Sequence, residues 1–188
     1  MFIDRQKLER AYLDELTKIG NLFDTLNIDH CITGGYALLS YSISTRGPMD
    51  CKLLVFTDKR DKIIEMLFKL NYTICSINNN NIKITKEDPH GAMSIDLILG
   101  KQDDKFIVFN INNRDVKLGD KFFAQNRKEV KNRKGAKGFF RVAPLELIYF
   151  SKMNSTNETD LFDLEMIKNS SKMEIDKLLK LFEINGMM

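Results

Sequence analysis

Apolar residues at Leu8, Tyr12, Leu16, Ile19 and Phe23 fall three or four positions apart, with charged and polar residues filling the gaps. That spacing draws one apolar stripe along a helix and predicts an amphipathic first helix over residues 5–26. The period then shortens. Residues 29–33 read as a short strand, Gly34 and Gly35 as a tight turn, and residues 36–41 as a short helix. Gly47 and Pro48 punctuate a loop over residues 45–49. The near-continuous apolar run at residues 51–56 predicts a buried strand. Asp58 stands where a helix cap is expected, before the apolar face Ile63, Ile64, Leu67, Phe68 and Leu70.

The second half begins with two alternating, β-branched stretches, residues 72–77 and 82–85, joined by an asparagine-rich turn at 78–81. Residues 93–99 predict another strand with Asp96 in its middle, and 106–111 a further one. These hairpin-like connections, added to the earlier strand and helix alternation, imply a mixed sheet. A basic stretch, QNRKEVKNRKGAKGFFRV, follows; it holds a flexible turn at 135–138 and ends in a strand before Pro144. Proline is tolerated at a helix start, so helices are expected at 145–153, 158–168 and 171–185. The expected organisation is α/β (α+β): a core over 1–143 with a small mixed β-sheet flanked by helices, then a C-terminal helical subdomain over 144–188.

At 188 residues the chain is long enough for one proper core with a helical appendage. The formal net charge of +3 is too small to imply nucleic acid or membrane binding by itself. Cys31, Cys51 and Cys75 are an odd number without metal-site spacing and read as free thiols in a reducing compartment. His30 and His90 join no cysteine cluster, which argues against zinc. Ser40, Ser42 and Ser44 lack a nucleophile-elbow pattern or a nearby base. The first residues are charged and amphipathic, and no apolar run is long enough to cross a bilayer, so a soluble, cytoplasmic protein is expected.

The candidate chemistry sits between His30 and Phe56, where a glycine pair precedes a helix and an acidic residue then opens an apolar strand. A carboxylate inside an apolar strand must face a cleft, an edge or a partner, so Asp96 carries more weight than Asp50. In order and spacing, these residues resemble the core motif of the nucleotidyltransferase superfamily, the DNA polymerase beta-like fold. The resemblance covers about residues 28–165 and extends to relatives that include toxins of abortive-infection systems. It implies transfer of a nucleoside monophosphate from an NTP, with Mg²⁺ held by Asp50 and Asp96. Gly34 and Gly35 match the phosphate-facing glycine turn, Arg46 an arginine ahead of the acidic strand, and Lys152 a lysine near the triphosphate. Asp160, Asp163 and Leu164 match the end of the family's C-terminal run.

Two positions depart from the pattern. Lys52 stands where the second metal-binding acid belongs, and Asn157 replaces the arginine of the C-terminal run. A cation in place of a bridging carboxylate predicts impaired two-metal catalysis, with Lys52 ion-paired to Asp50 and Asp96 in the metal's place. The competing expectation is a catalytically silent member that binds nucleotide, RNA or a protein partner as a regulator. The basic residues from Arg127 to Arg141, with Phe139 and Phe140, suit a nucleic-acid backbone; the plainer reading is a solvated loop. A third expectation is a structural domain that uses this stretch as an interface.

Overall fold

A computed structural model of the chain describes residues 5–43, 50–119, 128–131 and 139–188. Helix α1 (Arg5–Thr25) precedes strand β1 (Asp29–Thr33) and the short helix α2 (Gly34–Ser40). Strand β2 (Cys51–Phe56), helix α3 (Arg60–Lys69) and the strands β3 (Thr73–Ile77), β4 (Asn81–Lys86), β5 (Met93–Asp103), β6 (Phe106–Ile111) and β7 (Arg114–Gly119) follow. Two four-residue strands, β8 (Lys128–Lys131) and β9 (Phe139–Val142), lead into helices α4 (Leu145–Lys152), α5 (Glu158–Asn169) and α6 (Ile175–Ile184).

The sheet runs β3-β4-β5-β2-β1-β9-β8, with β6 and β7 branching from β5. It is mixed, as expected: β2 lies parallel to β5 and β1 parallel to β9, and the other pairs are antiparallel. The predicted stripe of α1 is fully inside, with Tyr12, Ile19 and Phe23 completely buried. Glu15, on the same helix, accepts hydrogen bonds from Tyr72 Oη at 2.6 Å and Lys86 Nζ at 2.9 Å, which ties α1 to the β3–β4 side of the sheet. Arg141 of β9 pairs with Asp24 of α1 at 2.8 Å. One apolar cluster runs from Leu8 through the sheet to Phe150, Ile167 and Leu181, so the C-terminal helices share the core of the sheet.

Several expectations are corrected. The short helix takes in the glycine pair instead of following it. Lys59, not Asp58, flanks the start of α3, and its backbone N–H is held by Thr57 Oγ1 at 2.9 Å. Phe68 turns to solvent at 59% exposure, leaving Ile63 and Leu67 as the buried contacts of that helix. Strand β5 runs on to Asp103, because β6 continues its pairing from Gly100 onward. Strand β7 was not read at all; its polar residues hide a strand paired throughout with β6. Part of the basic stretch is not loop: Lys128–Lys131 pairs with β9. The turn expected at 135–138 and the loop at 45–49 lie outside the described residues.

Candidate functional site

Residues that pair directly across a sheet present their side chains on the same face. Lys83 of β4 pairs with Asp96 of β5, Asp96 with Lys52 of β2, and Lys52 with Thr33 at the end of β1. Four strands thus align Lys83, Asp96, Lys52 and Thr33 in one row. The row ends where α2 begins. Gly34 adopts φ +70°, which a side chain would strain, and a Cβ there would lie 3.9 Å from the Lys52 stem. Thr33, which flanks the start of α2, makes no side-chain capping bond, so it leaves the first backbone N–H groups of the glycine turn available.

The row is electrostatically coupled. Burial pushes the Asp96 carboxyl above the usual aspartate range, Lys83 and Lys52 oppose the rise, and Asp50 adds to it. Asp50, exposed just before β2, is therefore close enough to Asp96 for the two charges to repel. Burial, with the Asp50 and Asp96 charges beside it, raises the Cys51 thiol well above its normal value, which keeps it protonated and unreactive. The expected direct ion pair does not form: among the described residues Lys52 reaches no carboxylate at bonding distance, and acts on Asp96 only through space.

The C-terminal helices bring the second half of the site. Lys152, buried at the end of α4, pairs with Asp160 and, at 3.0 Å, with Asp163, both on α5. Asp163 is 1% exposed, so its partner cation is what makes its burial tolerable. Burial alone would raise Asp160; hydrogen bonds from Lys152 and Ser155, and the charges of Lys152 and Lys52, hold it below the usual range. Asp160 is thus within electrostatic reach of Lys52, although 108 positions separate them in the chain. Lys152, expected near the triphosphate, has both its contacts to these two carboxylates. Asn157 caps α5, accepting from the Thr159 N–H at 2.8 Å.

The structure brings together Gly34, Lys52, Asp96, Lys152 and Asp160, with Asp50 beside Asp96; Gly35 follows Gly34 in the first turn of α2. Arg46 lies outside the described residues. Lys83 was missed by the sequence reading, though its place between Ile82 and Ile84 put it on a face of its own. Arg141, at the end of the basic stretch, pairs with Asp24 of α1. An open cleft of about 420 Å³ also reaches the row at Lys52 and Asp96.

No protein-family model and no curated protein matches the sequence. The fold does match solved structures. A lincomycin-bound lincosamide antibiotic adenylyltransferase, LnuA, superposes with a TM-score of 0.58 at 18% identity, over 82% of this chain and 94% of that one. The antibiotic-resistance factor ANT(2'')-Ia superposes with a TM-score of 0.55 at 12% identity, over 91% and 89% of the two chains. The chain has the nucleotidyltransferase fold. In this nucleotidyltransferase-fold protein the part of the row from Asp96 to Thr33 lies on the strands that the sequence motif marked, and no helix among the described residues is long and apolar enough to cross a membrane.

Proposed function

We propose that this protein binds an NTP at the Gly34 turn and transfers its nucleoside monophosphate to a hydroxyl acceptor. The observation that carries this reading is the pairing register, which sets Lys52 between Thr33 and Asp96 at the mouth of the glycine turn. Uncapped N–H groups of Gly34 and Gly35 suit phosphate oxygens. Asp96, with a carboxyl raised by burial, suits a proton acceptor. The acceptor oxygen attacks the α-phosphorus, its proton passes to Asp96, the bond from the α-phosphorus to the bridging oxygen breaks, and pyrophosphate leaves. Lys52, which pairs with no carboxylate among the described residues, suits a triphosphate oxygen.

The donor set bears on Mg²⁺. Asp50 and Asp96 fit one ion arriving on the triphosphate, because Mg²⁺ keeps most of its waters and takes one or two protein carboxylates. They do not fit a bridged pair of ions: Lys52 holds the intervening register position, and among the described residues no cluster of three acidic, histidine or cysteine side chains could hold a metal. The ion, when bound, would neutralise charge on the departing phosphates. Replacing attraction by repulsion at residue 52 costs on the order of several kcal/mol at an effective dielectric of about 20 and about 4 Å. Turnover is therefore slow, and binding is less affected.

Calorimetric titration with each NTP, with and without Mg²⁺, tests the binding, and transfer of labelled nucleotide tests the chemistry. The expected result is saturable NTP binding by the parent protein, and Mg²⁺-dependent transfer that rises at least about tenfold in Lys52→Asp, equivalent to about 1.4 kcal/mol of barrier. Failure of both forms to bind any NTP would overturn the reading. Binding without transfer by either form would favour the second reading, a nucleotide-binding regulator in which Lys52 takes over the cation's role.

A further inference from the structure

Helix α6 carries apolar residues on two sides, and only one side is buried in the core. Leu178 and Leu181 point into the common cluster. Ile175 and Leu179 stand one turn apart at 58% and 45% exposure. Phe182, half-buried and edge-on to Phe150 at 5.5 Å between ring centroids, continues their line. Positions i, i+4 and i+7 share one side of a helix, so the three make an apolar strip beside the buried face. Apolar residues scattered singly over a surface are ordinary; a run of them along one helix face is the form that a helix contact takes.

Asp176 and Lys180, also one turn apart, border the strip on its outer side. Both are exposed, and neither forms an ion pair among the described residues. The helix itself is fixed at both ends. Asn185 accepts from the Lys117 N–H at 2.8 Å and donates to the Lys117 carbonyl at 3.1 Å, while Glu146 holds the Glu174 N–H at 2.6 Å. The strip is therefore presented on a backbone with little freedom left to lose on binding.

We infer that α6 is the contact of a two-fold dimer, in which it packs antiparallel against α6 of a second copy of this chain. The sequence of the helix selects both the occupant and the direction. A two-fold axis passing between Leu178 and Leu179 sets each position opposite the one equally far on the other side of the axis. Ile175 then meets Phe182 of the second copy, and the two Leu179 side chains meet beside the axis. Asp176 falls within one residue of Lys180 of the second copy, twice by symmetry. A parallel pair would set Asp176 against Asp176 and Lys180 against Lys180, and repulsion would oppose it. An unrelated partner would have to reproduce this spacing, whereas a second copy already carries it. None of Gly34, Lys52, Asp96, Lys152 and Asp160 lies on α6, so the contact is independent of the nucleotide reading. A helix of this length spans about 15 Å. One such pair covers less than the roughly 800 Å² per partner of a standard interface, so the dimer is weak, with Kd on the order of 10–100 µM.

Sedimentation velocity of the full chain, from about 1 µM to about 500 µM so as to bracket that Kd, is expected to show a monomer that becomes a dimer. Leu179→Glu, at a solvent-facing position, should keep its circular dichroism spectrum and stay monomeric throughout. Asp176→Lys and Lys180→Asp each set like charges across the axis and should each raise Kd about tenfold or more. Mixed together, these two variants complement one another at both pairs and should dimerise about as tightly as the parent, a gain that misfolding cannot produce. The double exchange, Asp176→Lys with Lys180→Asp in one chain, should likewise return to the parent Kd. A parent that stays monomeric at every concentration would overturn the inference. So would a dimer indifferent to Leu179→Glu, or charge variants that neither mixing nor double exchange restores. A mixture that dimerises more tightly than the parent would mark a parallel pair and overturn the antiparallel contact.

Discussion

Lys52 and Asp96 face each other from adjacent parallel strands, yet the ordinary outcome of such a pairing, a salt bridge, is missing. Burial instead dominates Asp96 and favours its neutral form, because the two lysines beside it do not fully compensate for lost hydration. A folded-state pKa above the unfolded one means that Asp96 contributes stability below about pH 4, the ordinary aspartate value, and that this contribution is lost as pH rises through the raised value. Asp96→Asn is therefore expected to raise the melting temperature at pH 7 and to lose that advantage near pH 4, measured by calorimetry at both pH values. An unchanged difference across that range would contradict the role of burial. Asp96→Asn should also abolish nucleotide transfer, measured with labelled nucleotide.

At the scale of elements, a two-residue period places Lys52 and Asp96 on one face and the apolar residues Cys51, Leu53, Ile95 and Leu97 on the other. That alternation is visible in the sequence. Strand β7 was missed because only Val116 and Leu118 mark its buried face, with Arg114 standing in line with them, so the alternation runs too briefly to announce a strand. Helix α5 shows the reverse case. Asn157 looked like a lost arginine, whereas its side chain closes the first turn of the helix that carries Asp160 and Asp163. Asn157→Ala should cost about 1 kcal/mol of stability and lower the melting temperature by about 2–4 °C. Because the cap fixes where Asp160 meets Lys152, the same variant should weaken NTP binding as well; full retention of both stability and affinity would show that the cap is idle.

Across the whole molecule, α4, α5 and α6 bury Phe150, Ile167 and Leu181 in the same cluster that holds the sheet. Glu146 reinforces this by accepting from the Glu174 backbone N–H at 2.6 Å, and Tyr41 Oη reaches the Ala143 carbonyl at 3.0 Å. Sheet and helices are expected to unfold together. Urea titrations followed by far-ultraviolet circular dichroism and by tyrosine fluorescence should give coincident transitions, and separated midpoints would show that the helical unit melts alone.

The sequence by itself determined the strands and helices that carry the site, because a run such as residues 51–56 or the stripe from Leu8 to Phe23 has one way to hide its apolar side chains. It also singled out Gly34, Lys52 and Asp96, through a pattern that resembles a known family motif. Pairing register lies beyond such local patterns. Only the tertiary structure decided that Lys83 joins Asp96, that Lys152 is held by Asp160 and Asp163, and that two distant asparagine-rich hairpin tips border one cleft. These contacts form between segments far apart in the chain, and what selects them is the shared burial of a core that no short stretch of sequence contains.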